Sequence, residues 1–277
     1  MITDWDDAYD NVGHIEGAAA YPPRWAEEAL AFRRVMAEAG RAELDLPYGE
    51  GPRACFDLFR PEGARRGLAV FVHGGYWKAF DKSYWSHLAA GAMTRGWTVG
   101  LPSYTLAPEA RISDMTRQIG GAIEAMAGRV AGPIVLAGHS AGGHLVTRMA
   151  CFGAPLSADV QARIAHVLSI SGLHDLRPLR RTAMNQLLGL SESEAMAESP
   201  IMHEPVPGTN ATIWVGANEL SEFRRQAYLL ANAWEGLGAQ TRVVVSEGRH
   251  HFNVIDGLKE SDSELIAALI AAGRECD

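Results

Sequence analysis

Cysteine is scarce in this chain of 277 residues: Cys55, Cys151 and Cys276 make the whole set, and no two of them form a C-x-x-C pair. An odd, scattered set suggests neither a disulfide framework nor a zinc site, and it fits a reducing, cytoplasmic setting. Long apolar runs are also missing. No stretch approaches the roughly 18–20 uninterrupted apolar residues that span a bilayer. The opening Met1-Ile2-Thr3-Asp4-Trp5-Asp6-Asp7 is acidic and lacks an apolar core, so no secretory signal is expected. Basic residues are outnumbered, 25 Lys and Arg against 33 Asp and Glu, for a net charge of −8. That balance argues against a nucleic-acid surface. Internal repeats and low-complexity linkers are not apparent. Apolar residues are plentiful at 47%, enough for one large α/β core.

The pattern alternates strand and helix through most of the chain. Residues 1–22 read as an irregular arm ended by Pro22-Pro23. A helix follows with Trp25, Ala29, Phe32 and Met36 on one stripe and Gly40 as its stop. Segments 42–47 and 54–59 read as an edge hairpin. Leu68-Ala69-Val70-Phe71-Val72 is continuously apolar, as expected of a strand buried on both faces. Further strands are expected at 97–101, 134–137, 166–170, 212–215 and 241–245, with helices at 83–95, 112–128 and 222–237. Residues 175–207 hold only short helical pieces, and an excursion of this length inside a β/α pattern suggests a lid or a wall. Ser261-x-x-Glu264 reads as a capping box that starts a final helix. The expected fold is a mostly parallel, doubly wound sheet covered on both faces, forming one domain over 1–277 with a small insertion at 175–207.

One motif organises the rest. Gly138-His139-Ser140-Ala141-Gly142-Gly143 spells G-x-S-x-G between an apolar strand run and an amphipathic helix. That context is a sharp turn with a serine hydroxyl exposed above the sheet. Glycines flank it because a Cβ there would meet the neighbouring strand and helix. A serine hydroxyl is a weak nucleophile at neutral pH, so it needs a base, and the base needs an orienting carboxylate.

The ends of the later strands supply candidates. Ser246 to Asn253 carries the adjacent pair His250 and His251; His251 is favoured because Phe252 could pack the loop down beside it, with His250 the alternative. Glu219 stands where the 212–215 strand ends, so its carboxylate can point to the top of the sheet, with Asp175 and Glu222 as rivals. Glu222 also suits the first turn of the next helix, where the dipole favours an acid. Oxyanion donors are expected from the N–H of Ala141 and from Gly74 and Gly75, where only glycine lets the backbone approach closely. Tyr76, Trp77 and Trp85 are candidate walls for an aromatic group, and Trp85 suits the core equally. No cofactor or metal is implied.

These residues resemble the α/β-hydrolase family of kynurenine formamidases (arylformamidases). The resemblance rests on His73-Gly74-Gly75-Tyr76-Trp77, on the G-x-S-x-G stretch, on Gly216-x-x-Glu219-x-x-Glu222-Phe223-Arg224-Arg225-Gln226, and on His251-Phe252-Asn253-Val254-Ile255. It runs through nearly all of the chain beyond about residue 65, and Tyr9-x-Asn11 resembles a Tyr-Asn motif of that family's N-terminal arm. The HGG and G-x-S-x-G parts are shared with hormone-sensitive-lipase-like esterases, as is the stretch from Tyr104 to Glu109. The resemblance implies an α/β-hydrolase fold and hydrolysis of an N-formyl aryl amide, N-formyl-L-kynurenine giving L-kynurenine and formate in tryptophan catabolism. It carries nucleophile, acid and base onto Ser140, Glu219 and His251. The family often has Asp as the acid, where Glu219 stands here. Alternatives are a carboxylesterase acting on small acyl esters, another amidase of ring-cleavage catabolism, and a catalytically silent hydrolase fold used for binding. The expected partner is a small aromatic amide or ester, with no nucleic acid and no membrane; oligomeric state, a homodimer included, is left open.

Overall fold

The protein is described by a computed structural model over residues 2–63 and 65–271. Cys276 lies outside the described residues. Eight strands form one sheet: β1 (Ala42–Pro47), β2 (Cys55–Phe59), β3 (Leu68–Val72), β4 (Thr98–Pro102), β5 (Ile134–His139), β6 (Ile164–Ile170), β7 (Asn210–Gly216) and β8 (Gln240–Ser246). Their order is β1-β2-β4-β3-β5-β6-β7-β8. Only β2 runs antiparallel to its neighbours, β1 and β4; all other pairs are parallel.

Parallel strands need crossover helices, and those helices bury both faces of the sheet. β5 has no polar face for that reason. Ile134 and Leu136 join the core on one side with Ile119, Leu145 and Phe223. Val135 and Ala137 join the other with Trp25, Trp85, Trp97 and Ile266. Each buried Val, Leu or Ile side chain among them contributes about 1.5–3 kcal/mol through its removal from water.

The winding reverses at β3, which lies between β4 and β5. At such a point the loops leaving the C-terminal strand ends diverge and open a crevice. The register then decides which loops meet. Val72 pairs with Gly138, which sets the His73–Gly75 loop beside Ser140. Gly216 pairs with Ser246, which sets the loops after β7 and β8 side by side.

Three local expectations are corrected. The arm is not irregular: Trp5–Ala8 and Asn11–His14 are single helical turns capped by the Asp4 and Asp10 carboxylates, and Ala18–Ala20 is a 3-10 turn. Pro22 and Pro23 do not end the arm; they lie in the first turn of the helix Tyr21–Glu38. Proline is tolerated there because first-turn N–H groups have no partner within the helix. The cap of the final helix, Glu264–Leu269, is Ser263 rather than Ser261, and its hydroxyl accepts from the Ile266 N–H at 3.1 Å.

The excursion after β6 is a set of short helical pieces, Arg177–Arg181, Asn185–Leu188, Glu192–Glu198 and Pro200–Met202. It is fastened by Glu194 to Arg111 and by buried Glu198 to Thr116 and Arg148. No helix among the described residues is long and apolar enough to cross a membrane.

Candidate active site

Ser140 sits at φ 56°, ψ −117° between β5 and the helix Ala141–Met149. A non-glycine residue held in that region carries about 1–3 kcal/mol of strain, tolerated because the surroundings over-determine it. The fixing contacts are close. A Cβ on Gly138 would lie 2.1 Å from the Gly142 carbonyl oxygen, and one on Gly142 would lie 2.0 Å from that of Val72. Strand and helix approach so tightly that only glycine fits, and the chain must turn on Ser140. The Ser140 N–H is meanwhile tied to the Ile170 carbonyl at 2.9 Å.

Glu219 and His251 meet. The His251 Nδ1 to Glu219 Oε2 distance is 2.7 Å, with both residues buried. The other carboxylate oxygen accepts from the Ser171 hydroxyl at 2.5 Å and from the Gly216 N–H at 2.8 Å. A carboxylate can only accept, so Nδ1 carries a proton, and in the neutral ring the lone pair is left on Nε2. Ser140 and His251 line the same cavity. Among the described residues no hydrogen bond joins the Ser140 hydroxyl to His251; in unliganded enzymes such contacts are often long and tighten over substrate.

The rivals are engaged elsewhere. Asp175 takes the Arg177 guanidinium at 2.7 and 2.9 Å. Glu222, in the first helical turn as expected, binds Arg225 and Tyr9. The Nε2 of His250 pairs with the Tyr21 hydroxyl at 3.0 Å.

The loop after β3 presses against the serine. A Cβ on Gly74 would lie 3.0 Å from the Ser140 Cβ, and Gly75 takes a φ of 108°. Ala141 is fully buried at the start of its helix. His73 holds the loop: its Nδ1 donates to the Gly74 carbonyl at 2.7 Å and its ring stacks on Tyr104 at 4.5 Å. Tyr76 lines the cavity. Trp77, expected beside it as a second wall, does not line it among the described residues. Tyr76 and Trp77 are both left-handed, at φ 48° and 57°, and the chain turns Trp77 under the loop, where its wholly buried ring packs edge-on to His144 at 5.3 Å.

The cavity holds about 750 Å³. Its aromatic wall is Trp25, Phe80, Trp85 and Phe252, with Trp25 and Trp85 ring centres 4.7 Å apart. Thr182, Ala183 and Met184 of the excursion line another side. Residues between Asp6 and Pro22 close the remainder, so the arm is part of the cavity. The Ala183 N–H donates to the Asp6 carboxylate at 2.7 Å, joining arm to excursion. Sequence reasoning left this contribution, and those of Phe80 and Phe252, unassigned; only the Tyr-x-Asn spelling hinted at the arm. Among the described residues no group of three or more His, Cys, Asp and Glu is placed to hold a metal.

Residues 69–275 match the profile of the alpha/beta hydrolase family. The chain belongs to the α/β hydrolases. Kynurenine formamidases are among this hydrolase's curated relatives: that of Salmo salar is 29% identical over 245 residues, 82% of this chain and 80% of the relative. That of Danio rerio is 27% identical over 237 residues, with the same shares covered. Among solved structures, a protein of Silicibacter sp. TM1040 described as a candidate thioesterase is 52% identical, with a TM-score of 0.91 over 96% of this chain and 98% of its own. An esterase of Pyrobaculum calidifontis, 20% identical, shares the fold at a TM-score of 0.70 over 92% of this chain and 91% of its own.

Electrostatically the hydrolase keeps its other site histidines neutral. Burial drives the His139 pKa well below the usual histidine range, and a positive charge on neighbouring His251 would push it the same way. Its Nε2 donates to the His251 carbonyl at 2.9 Å, bracing the loop after β8. Burial likewise lowers His73 to about 4. Near neutral pH these two rings act as uncharged braces.

Proposed function

We propose that this hydrolase cleaves an N-formyl aryl amide, N-formyl-L-kynurenine foremost, through an acyl-enzyme on Ser140. The observation that carries the reading is the buried 2.7 Å Glu219–His251 pair, whose imidazole lines one cavity with Ser140 and an aromatic wall. The kynurenine formamidase relatives add the formamide.

In this scheme Nε2 of His251 takes the Ser140 proton as Oγ bonds to the formyl carbon. The carbonyl oxygen becomes an oxyanion, held by the N–H groups of Ala141 and of the Gly74–Gly75 loop. Collapse breaks the C–N bond, and His251 returns the proton to the leaving aromatic amine. Water, activated by His251, then attacks the formyl-serine and releases formate. Trp25, Phe80, Trp85 and Phe252 would receive the aryl ring. Asp6, Asp7 and Asp10 also line the cavity, and would face the ammonium of an amino-acid tail.

A second reading is hydrolysis of an ester or thioester by the same steps, favoured by the 52% identity to the candidate thioesterase. Against a phosphate-bearing acyl carrier, the lining offers three Asp carboxylates and, as its cation, Lys78 among the described residues. The test is steady-state kinetics on N-formyl-L-kynurenine, p-nitrophenyl acetate and acetyl-CoA, with Ser140→Ala as control. The expected result is kcat/KM at least about tenfold higher for the formamide, lost in the variant. Turnover of ester or thioester with no formamide cleavage sinks the formamidase reading and leaves the second one.

A further inference from the structure

Both sides of the candidate machinery meet on one short stretch of the arm. Asn11 Nδ2 donates to the Tyr76 hydroxyl at 3.3 Å, and that hydroxyl donates to the Tyr9 backbone carbonyl at 2.7 Å. Tyr76 directly follows the glycine pair that presses on Ser140. Its left-handed backbone, shared with Trp77, persists only if neighbours hold it. The Tyr9 side chain reaches the other way. Its hydroxyl donates to Glu222 Oε1 at 2.8 Å, and Gln226 Nε2 donates to Glu222 Oε1 at 3.1 Å. The Tyr9 ring meets Phe223 edge-on at 6.1 Å, and the Phe223 ring lies 4.4 Å from His251. Tyr9 and Asn11 are 2% and 5% exposed, so neither is a surface group. Burial and the Glu222 charge keep the Tyr9 phenol protonated, hence a donor.

We infer that Tyr9 and Asn11 are positioning residues: they clamp Tyr76, and through it the Gly74–Gly75 loop, at a fixed setting relative to His251. The inference rests on the acyl-transfer reading above. Oxyanion donors act by being placed before charge develops, and a displacement on the order of 1 Å can cost about a hundredfold in rate. The Tyr76 hydroxyl, accepting once and donating once within the clamp, serves as a tie; its ring serves as the wall. Tyr9 and Asn11 do not touch the reacting atoms in this scheme. They act through Tyr76.

The test measures kcat, KM and the thermal midpoint for Asn11→Ala, Tyr76→Phe and the double variant, on whichever substrate the wild type turns over fastest. Each single variant is expected to lose about tenfold in kcat, with KM within about twofold of wild type. In the Tyr76→Phe background, Asn11→Ala should change nothing further, because both act through one hydroxyl. Labelling of Ser140 by a fluorophosphonate should slow in step with kcat. A lowered thermal midpoint with wild-type kcat makes the clamp a folding anchor and overturns the inference. A raised KM with intact kcat makes Asn11 a substrate contact and overturns it too, as do losses that multiply in the double variant. Should Asn11→Ala fail to fold, the near-isosteric Tyr76→Phe decides alone. Turnover that survives Ser140→Ala overturns the acyl-transfer reading and the clamp together. Turnover lost in Ser140→Ala but unchanged in Asn11→Ala overturns only the clamp.

Discussion

The Ser171 hydroxyl donates at 2.5 Å to Glu219, on the carboxylate oxygen that does not face His251. Ser171 is fully buried and itself left-handed, at φ 53°. One oxygen of Glu219 is thus held by Ser171, just past β6, and by the Gly216 N–H at the end of β7, which leaves the other aimed at the imidazole. Ser171→Ala is expected to lower kcat about tenfold with little change in KM, the size of one hydrogen bond to a charged group. Glu219→Gln should cost far more, on the order of 10³–10⁴ in kcat, because the amide can donate and so favours the wrong imidazole tautomer. Steady-state kinetics on the two variants checks both, and a Ser171→Ala enzyme with wild-type kcat would remove Ser171 from the relay.

Strain at Ser140 predicts a trade between function and stability. Ser140→Gly should abolish turnover yet melt at or above the wild-type temperature. Glycine adopts φ 56° freely, and relief of about 1–3 kcal/mol of strain outweighs its entropic cost of roughly 0.5–1 kcal/mol. Differential scanning calorimetry reads this directly. A markedly lower melting temperature would mean that the hydroxyl, not the backbone, stabilises the turn.

Gly142→Ala tests the closeness of helix and strand. Its Cβ would fall 2.0 Å from the Val72 carbonyl oxygen, and backbone cannot swing aside as a side chain can. A loss above about 3 kcal/mol is expected, among the larger single-residue effects. Urea unfolding would measure it, and a variant within 1 kcal/mol of wild type would show that the turn opens easily.

Acid should weaken the fold through its buried histidines. Burial lowers His73, His87 and His166 to about 4, and His144 and His174 to about 3. The sign follows from proton counts. Below pH 6.5 the unfolded chain protonates these rings while the folded chain leaves them neutral. Stability is therefore complete above pH 6.5 and falls as pH drops towards 4, by up to about 1.4 kcal/mol per pH unit for each ring. Urea midpoints at pH 7.5 and 5.0 test this; equal midpoints would contradict it.

Legibility in the sequence followed the range of the interactions involved. The strand 68–72 could be read because burial on both faces leaves five apolar residues in a row. The turn at Ser140 could be read because close approach leaves glycines. Glu219 and His251 were reachable through one rule, that partners sit at later strand ends, and the structure brings those two together while engaging Asp175, Glu222 and His250 elsewhere. The arm was opaque. Single helical turns carry no periodicity, and what holds Tyr9 is a carboxylate 213 positions away. Trp77 was misplaced because it was named beside Tyr76 as a second aromatic after the glycine pair, whereas two successive left-handed residues carry its ring under the loop. Ser261 and Ser263 each offer a hydroxyl near the final helix start, and local spelling does not say which one the backbone reaches.

The Tyr9–Glu222 bond joins the chain's opening to a segment translated far later. On the ribosome the arm emerges long before its anchor exists, so the pocket stays unfinished until Glu222 and the loop that carries His251 have been made. The same closure makes the stretch from Asp6 to Pro22 a poor place for an insertion, since its residues line the cavity.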